Sequence, residues 1–294
     1  MRTIFCLFFL LLMTDSVTAQ HQKQRVALDS SFSFVFMTDI HIKSEVAAAF
    51  LQVIDSVNKL KPDFVVTGGD LVFDVMRGKP KNADTLFQLY RTLTKKLNMP
   101  IYNGIGNHDL FGIYPESDVD STYPQYKYGM YEKYIGKTYY SFNHRGWHFI
   151  VLNSIDVLGK RYLGVIGEDQ MEWIKKDLAA VDTNTPIVVS LHIPLISVYQ
   201  QLYPSKKGTD LSDVFVTNRN EVLDLFAKHN LKIVLQGHMH WVEDVFVNNK
   251  THFITGGSVA GRPSWKGTEK GPRGFMYFTV RNQSFSWKYV LLPD

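Results

Sequence analysis

The chain has 294 residues, 45% of them hydrophobic and 20% charged, enough for one large domain with an ample core. That composition excludes wholesale disorder, and a single cysteine excludes both a disulfide framework and a thiolate zinc cluster. The net charge of +4, from 32 bases and 28 acids, is too mild to indicate nucleic acid. With ten histidines and almost no sulfur, any metal site must be built from His, Asp, Glu and Asn.

Residues 1–19 read as a removable secretory signal. Met1-Arg2-Thr3 is a short basic start, 4–13 is an apolar run, and Val17-Thr18-Ala19 has the small-x-small form of a cleavage site. The run is too short to cross a bilayer as a helix, and no later segment approaches that length. Cys6 lies inside it, so the mature protein contains no cysteine. Loss of Arg2 and Asp15 leaves the net charge unchanged. A cysteine-free exported protein fits a bacterial periplasm, and that is the expected location.

After a polar lead-in at 20–30, residues 31–294 read as one α/β domain. The Phe- and Val-rich run 32–37 predicts a buried strand. Apolar residues at three- and four-residue spacing predict a helix over 45–60, and Phe64–Thr67 a second strand. A helix over 83–97 and a strand over 100–105 follow, so parallel strands joined by crossovers are expected. Residues 110–137 break this rhythm as a loop rich in tyrosine, and a loop that long is more often functional than accidental. A hairpin at 139–153, a helix over 168–178, a strand over 186–191, a helix over 219–229 and a strand over 232–235 come next. Short strands at 241–247, 251–255, 275–280 and 284–291 complete the chain.

Five short motifs fall at the ends of predicted strands: Asp39-Ile40-His41, Gly69-Asp70, Gly106-Asn107-His108-Asp109, Leu191-His192 and Gly237-His238-Met239-His240. In an α/β sheet the carboxyl ends of the strands open onto a common crevice, so residues far apart in sequence can converge there. Residues i and i+2 leaving a strand point the same way, which would let Asp39 and His41, or His238 and His240, grip one site. The preceding glycines permit tight turns and close backbone approach. Singly each motif is weak: Gly-Asp and Gly-Asn are turn chemistry, and a lone His192 is more often a satisfied core histidine. Together, in order and each at a strand end, they are poorly explained by coincidence. Carboxylate and imidazole ligands suit Mn, Fe, Zn or similar divalent ions, two of which can lower the pKa of a shared water and clamp a phosphoryl oxygen.

This set resembles the calcineurin-like metallophosphoesterase superfamily, whose D-x-H, G-D, G-N-H-D/E, H and G-H-x-H pattern is matched from residue 39 to 240. The resemblance implies two mixed β-sheets packed face to face and flanked by helices. It implies two divalent metal ions, one held by Asp39, His41, Asp70 and His240. The second would take Asn107, His192 and His238, with Asp70 bridging. A metal-bridging hydroxide would attack phosphorus, His108 would be the catalytic histidine assisting the leaving group, and Asp109 would complete its motif. The remainder is similar to the bacterial-type phosphodiesterase and phosphatase branch.

Phe73 stands where many members of that superfamily carry an acid that orients the catalytic histidine, and where purple acid phosphatases carry a tyrosine ligand. Asp74, one residue later, either takes over that role or is a solvated turn carboxylate. The tyrosines of 110–137 either stack on a substrate ring or pack a lid. The loop 256–274 carries Arg262, Lys266, Lys270 and Arg273 against Glu269; Arg262, Lys266 and Arg273 are candidates to neutralise phosphate, with a solvated charged face the plainer reading. His21, His144, His148, His229 and His252 match no motif and read as structural or exposed. The expected substrate is a phosphorylated small molecule, mono- or diester. The alternatives are a non-catalytic scaffold of the same fold and an extracellular nuclease, which the mild charge disfavours.

Overall fold

A computed structural model of the chain describes residues 31–204, 210–261 and 271–293. The signal sequence and lead-in lie outside these residues. In chain order the elements are β1 (Ser31–Met37), α1 (Ala47–Leu60), β2 (Phe64–Thr67), α2 (Pro80–Thr94), β3 (Ile101–Asn103), α3 (Gly129–Tyr134), β4 (Tyr140–His144) and β5 (Trp147–Val151). They continue with β6 (Ile155–Leu158), β7 (Arg161–Gly164), α4 (Glu168–Ala179), β8 (Pro186–Ser190), α5 (Tyr199–Leu202) and α6 (Arg219–Leu225). The last are β9 (Asn230–Gln236), β10 (Glu243–Val247), β11 (Thr251–Thr255), β12 (Gly274–Arg281) and β13 (Ser284–Leu291).

Two large mixed sheets form, of five strands in the order β13-β12-β1-β2-β3 and six in the order β10-β11-β9-β8-β5-β4. The expected crossovers are present: β1, β2 and β3 run parallel, as do β5, β8, β9 and β11. The antiparallel partners β12, β13, β4 and β10 sit toward the outside.

The period of two in the strands builds the layers. In β1, Phe32, Phe34 and Phe36 point into the space between the sheets, where they meet Trp147, Phe149, Ile233, Leu235 and Phe278. The Phe34 ring lies 4.6 Å from Phe278 and nearly parallel to it, and Phe64 meets Phe149 edge-on at 5.2 Å. The intervening residues Val35 and Met37 face the other way and join Phe50, Val53, Ile54 and Val57 of α1. Val189 and Val234 of the second sheet share that cluster with Ile174 and Leu178 of α4. Removing one of the intersheet rings would cost about 3–5 kcal/mol.

The differences from expectation are local. α2 starts at Pro80, which takes the first helical position where its missing N–H costs nothing, rather than at residue 83. A hairpin of β6 and β7 forms at 155–164, where no strand was expected. The 110–137 segment contains α3, and its tyrosines mostly pack: Tyr131 is buried and donates to the carbonyl of Asn103 at 3.1 Å, Tyr128 to that of Ile155 at 2.6 Å. Tyr134 hydrogen-bonds Asp84 of α2.

Candidate metal centre

Every motif residue lies just beyond the carboxyl end of a parallel strand. Asp39 follows β1, Asp70 follows β2, Asn107 to Asp109 follow β3, His192 follows β8, and His238 and His240 follow β9. The mechanism of convergence differs from simple strand alternation. Asp39, His41, Asp70, His238 and His240 all take left-handed backbone conformations, with φ between 48° and 69°. Each such non-glycine residue is strained by about 1–2 kcal/mol, and five of them at one place mark a site that the rest of the fold holds in shape. Gly106 is needed for a second reason: a methyl group on it would collide with the backbone and carboxylate of Asp70.

The side chains meet at close range. His240 Nε2 lies 3.1 Å from Asp39 Oδ1 and 3.3 Å from His41 Nε2. His41 Nε2 is 3.6 Å, and His192 Nε2 3.3 Å, from Asp70 Oδ2. The Asn107 Oδ1 atom stands 3.0 Å from both His192 Nε2 and His238 Nδ1. Among the described residues, three sets of donor atoms lie close enough to hold an ion: Asp39, His41 and His240; His41, Asp70 and His108; and Asp39, Asp70 and His192.

The far nitrogens of three histidines explain why these atoms suit cations. His192 Nδ1 is 2.7 Å from the Gly68 carbonyl, His240 Nδ1 is 3.0 Å from that of Gly261, and His238 Nε2 is 2.9 Å from that of Asp213. A carbonyl only accepts, so each of these nitrogens carries the hydrogen and, in the neutral ring, the nitrogen facing the site carries a lone pair. With these rings neutral, lone pairs of His192, His238 and Asn107 would oppose one another, as would those of His240 and Asp39. Asp39 Oδ1 is buried and accepts no hydrogen bond. Positive charge between them relieves this repulsion, so the residues present fit divalent ions.

The electrostatics agree. Burial opposes charge on His192, yet Asp70 and then Asp39 lift it to about 9, the same pull that would hold a cation. Burial is overcome likewise at the carboxylates: His192 and His108 hold Asp70 well below the usual range, and His240 does so for Asp39. Burial drives His41 down to about 3 against the pull of Asp70, and His238 to about 4 with help from His192.

His108 lies at the rim, its ring 4.6 Å from that of His41 and its side chain 28% exposed. Its Nδ1 is buried without a hydrogen-bond partner. Asp74 stands 3.8 Å from Nδ1, beyond hydrogen-bond reach, and both its oxygens instead accept from Arg77 at 3.2 Å. Arg77 also lies over the Tyr114 ring at 4.1 Å, which ties that tyrosine to this rim through Asp74.

Asp109, expected beside His108 in the chemistry, points elsewhere. It is fully buried, and its carboxylate accepts from the amides of Leu71, Val72 and Gly106 at 2.8–3.0 Å. It braces the two motif loops against each other. Arg273 is buried, and its guanidinium donates to the carbonyls of Val259 and Pro293 at 3.2 and 2.8 Å. Arg262, Lys266 and Lys270 lie outside the described residues. The carbonyls of Gly68, Asp213 and Gly261 escaped sequence reasoning because a backbone oxygen leaves no residue-type signal. A cavity of about 510 Å³ lined by Tyr139, Trp173 and Asp177 contains none of the motif residues.

Two mixed sheets carrying a buried histidine–carboxylate centre at their shared strand ends define a metallophosphoesterase-type α/β protein. The chain belongs to the calcineurin-like phosphoesterase family, whose profile matches residues 32–242. It is 28% identical over 194 residues to the serine/threonine-protein phosphatase CPPED1 of Rattus norvegicus, covering 64% of this chain and 57% of that protein. It is 25% identical over 228 residues to a probable glycerophosphodiester phosphodiesterase GpdQ of Arcobacter nitrofigilis, covering 73% of this chain and 74% of that one. The chain thus spans little more than half the length of the rat relative. Among solved structures, a dimetal phosphatase from Danio rerio superposes with a TM-score of 0.62 at 14% identity, over 88% of this chain and 95% of that one, a likeness of fold.

Proposed function

We propose that the protein is an exported, dinuclear metal-dependent phosphoesterase acting on phosphomonoesters or phosphodiesters of small molecules. The observation that carries this reading is the convergence of lone pairs from His192, His238, His240, Asn107 and Asp39 around the Asp70 carboxylate. Asp39, His41 and His240 would hold one ion, Asn107, His192 and His238 the other, and Asp70 both. Such ions supply Lewis acidity toward phosphoryl oxygen and an acidified water.

The chain's own groups do the rest. The carbonyls of Gly68, Gly261 and Asp213 fix the rings so that only one nitrogen of each faces the site. Asp109 and the amide of His108, which donates to Asp70 Oδ1 at 2.8 Å, lock the β2 and β3 loops in register. The expelled alkoxide needs a proton, and the part-exposed His108 would supply it at the rim, where solvent can replace it after transfer.

The test is metal analysis together with hydrolysis of p-nitrophenyl phosphate and bis-p-nitrophenyl phosphate, with and without added Mn. Two bound ions and turnover of either ester support the assignment. Two bound ions with no turnover would instead make the protein a scaffold. Export rests on the pattern of residues 1–19, and no helix among the described residues is long and apolar enough to cross a membrane. Amino-terminal sequencing of the exported protein should begin at Gln20.

A further inference from the structure

Phe73 is an exposed aromatic ring set against the centre. Its side chain is 38% accessible, and its ring lies 6.4 Å from His108 at 27° and 6.3 Å from His41 at 72°. A single exposed apolar residue carries little information. Here, however, a second feature sits on the same ring: the ammonium of Lys43 lies over it, 4.9 Å from the centroid. Lys43 has no carboxylate partner among the described residues, whereas nearby Arg77 is engaged by Asp74 and Glu116. The rim beside His108 therefore offers one flat apolar face and one cation with no carboxylate partner among the described residues.

We propose that Phe73 and Lys43 form the subsite for the leaving alcohol and that it takes an aromatic ring, aryl or nucleobase. In the proposed reaction His108 assists the leaving oxygen, so what lies beyond that oxygen must pass the residues flanking His108. Phe73 is the ring that flanks it. The long, flexible lysine stem can lift to admit a second ring, which then stacks on Phe73 with the ammonium over its far face. An alkyl group in the same place gains burial but neither the stacking nor the cation contact.

The inference rests on the phosphoesterase reading, and the experiment separates the two. Benzyl phosphate and butyl phosphate, whose alcohols are of similar acidity, are compared with a nucleoside 5′-monophosphate in the metal-loaded protein. Wild type is expected to favour benzyl over butyl phosphate by about 3–10-fold in kcat/KM, mainly through KM. Phe73→Leu and Lys43→Met should each bring that ratio close to one at unchanged metal content, and the double variant should go no further. A nucleotide preferred over benzyl phosphate identifies the ring as a base; the reverse identifies an aryl group. Equal kcat/KM for benzyl and butyl phosphate in wild type, or equal losses on both esters in Phe73→Leu, would overturn the subsite.

Calorimetric binding of benzylphosphonate against butylphosphonate gives a readout independent of turnover. If no ester is hydrolysed but benzylphosphonate still binds more tightly, and Phe73→Leu removes the difference, the phosphoesterase reading fails and the subsite stands. Equal binding of the two phosphonates overturns the subsite.

Discussion

His192 and Gly68 are 124 residues apart in sequence, and a 2.7 Å hydrogen bond from the imidazole to the glycine carbonyl joins them. The bond links the end of β8 in one sheet to the end of β2 in the other. The opposite nitrogen of the same ring reaches 3.3 Å from Asp70, two residues after Gly68. One imidazole is thus oriented by the strand end whose carboxylate it faces, and the two sheets are coupled through the site rather than merely beside it.

His192→Ala should therefore remove a ligand and its anchor together. The ratio of metal to protein is expected to fall from two toward one, with a loss of affinity exceeding the roughly 10–100-fold typical of losing an outer-shell partner alone. Equilibrium dialysis with Mn or Zn followed by elemental analysis measures it. An unchanged ratio at limiting metal would remove His192 from the ligand set.

His108 makes a different prediction, because its ring lies part-exposed at the rim rather than among the buried ligands. His108→Ala should keep both ions and slow hydrolysis of an alkyl ester by about 10²–10⁴-fold. A p-nitrophenyl ester, whose leaving group needs no proton, should be slowed much less. Full turnover of the alkyl ester by the variant, with metal still bound, would refute the proton-donor role.

Asp109 carries a prediction about stability rather than chemistry. Its two oxygens serve three backbone amides, those of Leu71, Val72 and Gly106. Asp109→Asn turns one oxygen into a donor facing a donor, which should destabilise the fold by about 2–4 kcal/mol. Thermal unfolding should show a drop of several degrees and weakened metal affinity, since the braced loops carry Asp70 and Asn107. A variant with wild-type melting and wild-type affinity would show the brace to be dispensable.

Much of this architecture was legible because strand ends announce themselves: an apolar run such as Phe64–Thr67 stops at a glycine and a carboxylate, and the polarity change has no use inside a sheet. The five motifs could be placed at one crevice on that ground. Roles within the crevice were harder to read. Asp109 and His108 are adjacent, yet one turns inward to backbone amides and the other outward to solvent, a distinction set by the short 3-10 turn Asn107–Asp109. Arg273 read as part of a charged loop, but a guanidinium's planar donors serve backbone carbonyls as readily as phosphate. The Phe73–Lys43 contact joins the β2 loop to the residues after His41, and nothing local in either segment encodes it.

The remote cluster around Asp177 gives a stability prediction with a defined pH window. Asp177 accepts from Ser141 Oγ at 2.6 Å and pairs with His148 Nε2 at 2.8 Å, which ties α4 to β4 and β5. Partial burial raises its pKa, but the bonds from His148 and Ser141 outweigh that and hold it below the usual carboxylate range. A carboxyl depressed on folding contributes stability above its unfolded pKa and loses it as pH falls through the folded value. Asp177→Asn should therefore cost about 1–2 kcal/mol at neutral pH, allowing for partial solvent screening. The gap in melting temperature between variant and wild type should hold steady down to about pH 5 and close below about pH 4. A gap that persists unchanged to pH 3 would mean that the charge on Asp177 contributes nothing and that only the geometry of its hydrogen bonds matters.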